Sequence, residues 1–152
     1  MEPRIESKHA FTVAGKLYHG NNENQEVAQL WGGAGSWMEQ IQAIAEPEAA
    51  YGVMGNIDMD SGVFDYLAGL AVVEDAPTPE GLDRWSIPAQ TYAVFTCTLP
   101  TLMQAFHSAY ETWLPQSGYR RAGGPEFELY GPAFDPNDPG SQMEIWIPVQ
   151  AG

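Results

Sequence analysis

The chain has 152 residues, 44% of them hydrophobic, one cysteine (Cys97) and a formal charge of −14 from twenty Asp plus Glu against six Lys plus Arg. A chain of this length buries roughly 70% of its unfolded surface, enough for a real core, while its charge supplies no basic footprint for nucleic acid or an anionic membrane. A lone cysteine forms no internal disulfide, no run reaches the ~18 apolar residues of a membrane span, and residues 1–7 lack the apolar stretch of a signal peptide, so a cytoplasmic setting is expected.

Residues 8–18 alternate, with Phe11, Val13 and Leu17 on one face and Thr12, Lys16 and Tyr18 on the other. They predict a strand, closed by the turn chemistry of His19-Gly20-Asn21-Asn22. Residues 23–44 carry a helical stripe of Val27, Leu30, Trp31, Met38, Ile41 and Ile44. The run Gly32-Gly33-Ala34-Gly35 interrupts it, and at about 1 kcal/mol per glycine it predicts a break. One helix then ends at Trp31 and a second starts at Ser36, where Ser36 and Glu39 match a capping box.

Residues 50–55 predict a strand and 56–62 a turn. Residues 63–73 predict a long strand with Asp65 as its only charge, which argues for a central position. Phe64, Tyr66, Leu70 and Val72 face one way there, Leu67 and Val73 the other. The acidic, proline-rich residues 74–83 read as a linker. Residues 84–98 predict a strand with Ile87, Ala89, Ala93 and Phe95 on one face, and Pro88 marks an edge or bulge. A helix follows from Pro100, with the stripe Leu102, Phe106, Ala109, Tyr110 and Trp113, and stops at Pro115 and Gly118.

Two period-two strands close the chain, 126–130 and 143–149, joined by the turn-rich residues 131–141. Alternation places Phe127 and Leu129 with Ile145, Ile147 and Val149 on an aliphatic face. Glu126, Glu128 and Tyr130 fall with Glu144 and Trp146 on a mixed carboxylate–aromatic face. The element order is strand, helix, strand, strand, twice over. It predicts an α+β domain over residues 1–152, built from two similar halves at about 8–73 and 84–150. Together they form one antiparallel sheet with helices on one face, and a ligand cleft on the other face or at the seam.

Several stretches, in order, resemble one family. They are Ile87-Pro-Ala-Gln-Thr-Tyr-Ala-Val-Phe95, Tyr110-Glu-Thr-Trp-Leu-Pro-Gln-Ser-Gly-Tyr119, Phe127-Glu-Leu-Tyr130 and Glu144-Ile-Trp-Ile-Pro-Val149, with Leu30-Trp31 and Phe64-Asp-Tyr-Leu-Ala-Gly69 in the first half. Together they are similar to the GyrI-like small-molecule-binding family, the bacterial effector-binding domain of AraC-type and multidrug-sensing regulators. The resemblance implies the duplicated fold and a pocket for lipophilic, often cationic, aromatic molecules, in which a glutamate matching Glu128 meets the positive charge. No helix-turn-helix segment precedes the matching stretch, so a stand-alone sensing or sequestering module is expected, with no direct nucleic-acid partner. The family leaves two alternatives open. One is a hydrolase of strained electrophilic natural products with Glu128 as general base; the other is a protein-interaction module of the gyrase-inhibitor kind.

The expected ligand residues are Glu128, Glu144, Tyr92, Trp146, Tyr110, Phe106 and Tyr66. Glu144 is a candidate second counter-charge with Trp146 as a stacking wall, against the plain reading of a solubilising strand residue. Phe106, Tyr66, Tyr51 and Trp31 also read as core. Glu126, at the strand entrance, is expected to be solvated. No cofactor or metal is expected: His9, His19 and His107 lack ligand spacing, and the weak calcium-loop echo at Asp58-Met-Asp60-Ser-Gly62 has Gly69 where a bidentate glutamate belongs.

Overall fold

Alternating residues make the strands and amphipathic stripes make the helices, but both faces of the sheet are apolar, and this decides the architecture. The computed structural model describes residues 2–58 and 60–152; Met59, in the expected turn at 56–62, lies outside the described residues. In chain order the elements are β1 (Arg4–Lys8), β2 (Phe11–Gly20), α1 (Glu26–Gly32), α2 (Ala34–Met38), β3 (Ala50–Gly55), β4 (Phe64–Val72), β5 (Asp83–Ile87) and β6 (Gln90–Thr98). A 3-10 turn (Leu99–Thr101) then leads into α3 (Leu102–Ser108), a π-helical turn (Ala109–Trp113) and α4 (Leu114–Gln116). β7 (Tyr119–Arg121), β8 (Glu126–Tyr130) and β9 (Gln142–Ala151) follow.

The strands form one antiparallel sheet in the order β1-β6-β9-β8-β3-β4-β2-β5, with β7 also pairing β9. This order is symmetric about the β3–β8 pair: each half contributes a three-strand block, and each half's first strand crosses to the edge of the other. β1 pairs β6 and β5 pairs β2. The two-residue links 9–10 and 88–89 therefore join opposite ends of the strand order, and the sheet must curl until those ends approach. Its inner face closes over a core that includes Val13, Tyr51, Leu67, Tyr92, Phe127 and Trp146. The outer face carries two further clusters. Tyr66, Leu70 and Val72 lie with Trp37 and Ile41 in the first half; Phe95, Ile145 and Ile147 lie with Ala105 and Ala109 in the second.

β4 takes the central position expected of it. The glycine run breaks the first helix as predicted, but no capping box forms. The α2 N-cap is Gly33, and the Ser36 hydroxyl donates to the Gly33 carbonyl at 2.9 Å instead. The expected strand at 84–98 is two strands, because Pro88 offers no N–H for a ladder. The chain crosses there from one end of the sheet to the other. Pro115 does not stop the second helical segment; it sits in the first turn of α4, where a missing N–H costs little. β1 and β7, short and charged, gave no alternating signal. The face away from the helices, one of the two places expected for a cleft, carries the inner core.

Candidate ligand site at the sheet seam

The centre of the molecule is the pairing of β3 with β8, where Ala50 faces Tyr130, Gly52 faces Glu128 and Met54 faces Glu126. Period two puts Glu126, Glu128 and Tyr130 on one side of β8, and that side is the helix-bearing one. Gly52 makes room there. A Cβ at this position would lie 2.0 Å from the Tyr66 hydroxyl and 2.8 Å from Glu128 Oε1. Opposite a glycine, the carboxylate is met by a phenol reaching over from β4.

Glu128 is 5% exposed. Its Oε1 accepts from the Tyr66 hydroxyl at 2.7 Å and from the Tyr130 hydroxyl at 2.6 Å. Trp31 Nε1, from α1, donates to the Tyr66 oxygen at 2.8 Å. The Trp31 ring stands edge-on to Tyr130 at 5.6 Å, and Tyr130 leans on Phe134 at 4.8 Å. Burial pushes the Glu128 carboxyl above its ordinary range; the two phenol donors pull it back, and nearby Glu126 pushes it up again. Burial and the facing carboxylate hold both phenols far above their ordinary value, so they remain protonated donors. Among the described residues, no Lys or Arg pairs with Glu128. The result is a buried acid, satisfied by hydrogen bonds on one oxygen and ringed by aromatic groups, with no counter-cation.

Glu126 is not solvated, contrary to expectation. It is 4% exposed, because the helical segment crosses above it. The Tyr110 hydroxyl donates to its carboxylate, and the Arg121 guanidinium lies 3.7 Å away. Arg121 Nε also donates to the Tyr110 oxygen at 2.8 Å. Burial raises this carboxyl too, opposed by Tyr110 and Arg121.

Glu128, Tyr66 and Tyr110 thus come to the same side of the seam. Phe106 packs in the outer core of the second half. Glu144, Trp146 and Tyr92 are on the opposite face. Register is the reason: Phe127 pairs Trp146 and Glu128 pairs Ile145, so the carboxylates of β8 share a face with the aliphatic residues of β9. Trp146 stacks on Phe127 at 5.4 Å, and Tyr92 stands edge-on to both at 5.2 and 5.5 Å. Glu144 accepts from Trp146 Nε1 at 3.1 Å and pairs with Arg4 at 2.8 Å. Sequence reasoning missed Arg121 and the opening at Gly52. For Glu126 a signal existed, since alternation places it beside Glu128.

A model of a family described as integron-associated effector-binding protein matches residues 4–149. The transcriptional regulator BrlR of Pseudomonas aeruginosa is 36% identical over 152 residues, an alignment covering 98% of this chain and 56% of the regulator. The chain thus spans just over half the length of that relative. Among solved structures, SAV2435 bound to tetraphenylphosphonium superposes with a TM-score of 0.76 at 19% identity, covering 99% of this chain and 94% of the other. EcmrR in complex with DNA superposes with a TM-score of 0.74 at 13% identity, covering 99% of this chain and 58% of the other. At these identities the two structures speak to the fold.

Proposed function

Given that the chain belongs to the integron-associated effector-binding protein family, we propose that it binds lipophilic, preferentially cationic small molecules at the seam, with Glu128 as the counter-charge. One observation carries this reading: a carboxylate 5% exposed, held by two phenols and paired with no cation among the described residues. At an effective dielectric of ~20, a cation at about 4 Å contributes ~4 kcal/mol before desolvation costs. Each aromatic face adds roughly 0.5–2 kcal/mol. The tetraphenylphosphonium in the SAV2435 structure supports this ligand class. Access runs past Trp31 and Tyr130, which cover the acid; α1, which carries Trp31, has no buried residue and is the cheaper side to displace.

Titration with tetraphenylphosphonium is expected to quench tryptophan fluorescence saturably, with Trp31 beside the ligand. Glu128→Gln should weaken binding at least tenfold with an unchanged far-UV circular dichroism spectrum. Equal affinity in that variant refutes charge recognition by Glu128.

A further inference from the structure

Glu126 and Glu128 point to the same side of one strand, about 7 Å apart from two residues of strand rise, yet their surroundings differ in charge. Glu128 meets two phenols and, among the described residues, no cation. Glu126 meets Tyr110 and the guanidinium of Arg121, which is itself tied down: Nε to the Tyr110 oxygen, one terminal nitrogen to the Ala122 carbonyl, the other to the Gly124 carbonyl at 3.0 Å. The 122–125 loop and the π-helical turn together hold a cation of the chain's own against the second acid. A ligand entering the seam meets two buried carboxylates but only one uncompensated charge.

We infer that Arg121 is a specificity-determining residue that sets the charge capacity of the seam at one: the site takes lipophilic monocations, and Arg121 excludes dications by occupying Glu126 in cis. This deepens the proposed function and rests on it. Because neutralising a buried carboxylate twice gains nothing, a second ligand cation finds no free partner and loses its hydration. Removing the guanidinium exposes a second anionic subsite at a spacing that a short-linked dication spans.

The test uses a matched pair, butyltriphenylphosphonium and tetramethylene-bis(triphenylphosphonium), titrated by calorimetry. The wild-type chain is expected to bind the monocation at least as tightly as the dication. Arg121→Met should shift the affinity ratio toward the dication at least tenfold. In Arg121→Met/Glu126→Gln, where acid and base are both gone, that shift should vanish. An unchanged ratio in a folded R121M protein overturns the inference while leaving the monocation reading standing; a wild-type protein that binds neither phosphonium sinks both. Arg121 also braces a loop, so Glu126→Gln gives an independent readout should R121M not fold. With the guanidinium left uncompensated beside the site, monocation affinity should fall at least tenfold. Retained affinity in E126Q refutes the role of the pair.

Discussion

A carboxylate whose folded pKa lies above its ordinary 4.5 prefers its proton inside the fold. Glu128 is in that position because burial outweighs two phenol hydrogen bonds. The contribution to stability from such a group is full below the unfolded value and is lost as pH rises through the folded pKa. Once pH has risen through the folded pKa, ionised Glu128 opposes folding, and a bound cation relieves it. Two measurements follow from the same sign. The affinity for tetraphenylphosphonium should fall on acidification, beginning above pH 4.5, by up to about tenfold per unit once the protonated form dominates, and binding should release protons detectable in buffers of different ionisation enthalpy. In parallel, the stability of the wild type relative to Glu128→Gln should fall as pH rises, because only the wild type pays for a buried charge. A pH-independent affinity between pH 4 and 7 would mean that Glu128 is not the group meeting the cation.

The glycine run of the first helical stretch produces two short helices rather than one. α1 has no buried residue and α2 buries Trp37 alone, so this layer is lightly anchored. A Cβ on Gly35, within α2, would meet nothing within 4 Å. Gly35→Ala should therefore stabilise the chain by about 0.5–1 kcal/mol through helix propensity, read as a higher urea midpoint at constant slope. A loss of stability would show that the glycine serves a strained turn. This break was legible in the sequence because glycine's cost is local. So were β2, β3, β4 and β8, whose alternation or apolar run belongs to one strand. Which face of β9 joins which face of β8 was not. That depends on the parity of the register across residues 131–141, and a slip of one residue exchanges every side chain between faces. Because the sheet curls, both of its faces are core. Phe127 and Ile145 are each fully buried on opposite sides, and apolarity gave no vote on the parity. Glu128 and Tyr66 do meet, on the helix-bearing side, whereas Glu144 and Trp146, grouped with Glu128 through that parity, lie on the opposite face together with Tyr92.

At the scale of the molecule, −14 charges on 152 residues create a field that a cationic ligand feels before it reaches the seam. The field is long-ranged only at low salt, the Debye length falling from about 30 Å at 0.01 M to about 8 Å at 0.15 M. Steering acts on encounter and short-range pairing on residence. The association rate of tetraphenylphosphonium should therefore drop several-fold between these salt concentrations while its dissociation rate stays nearly constant. An uncharged isostere such as tetraphenylmethane carrying a solubilising neutral group should show no such dependence. Glu128→Gln removes one charge of the fourteen, so it should keep most of the salt dependence of association and lose residence time instead. If the variant lost its salt dependence along with its affinity, the field at the seam would come from the local acid alone, and the acidic surface would have no part in recruiting the ligand.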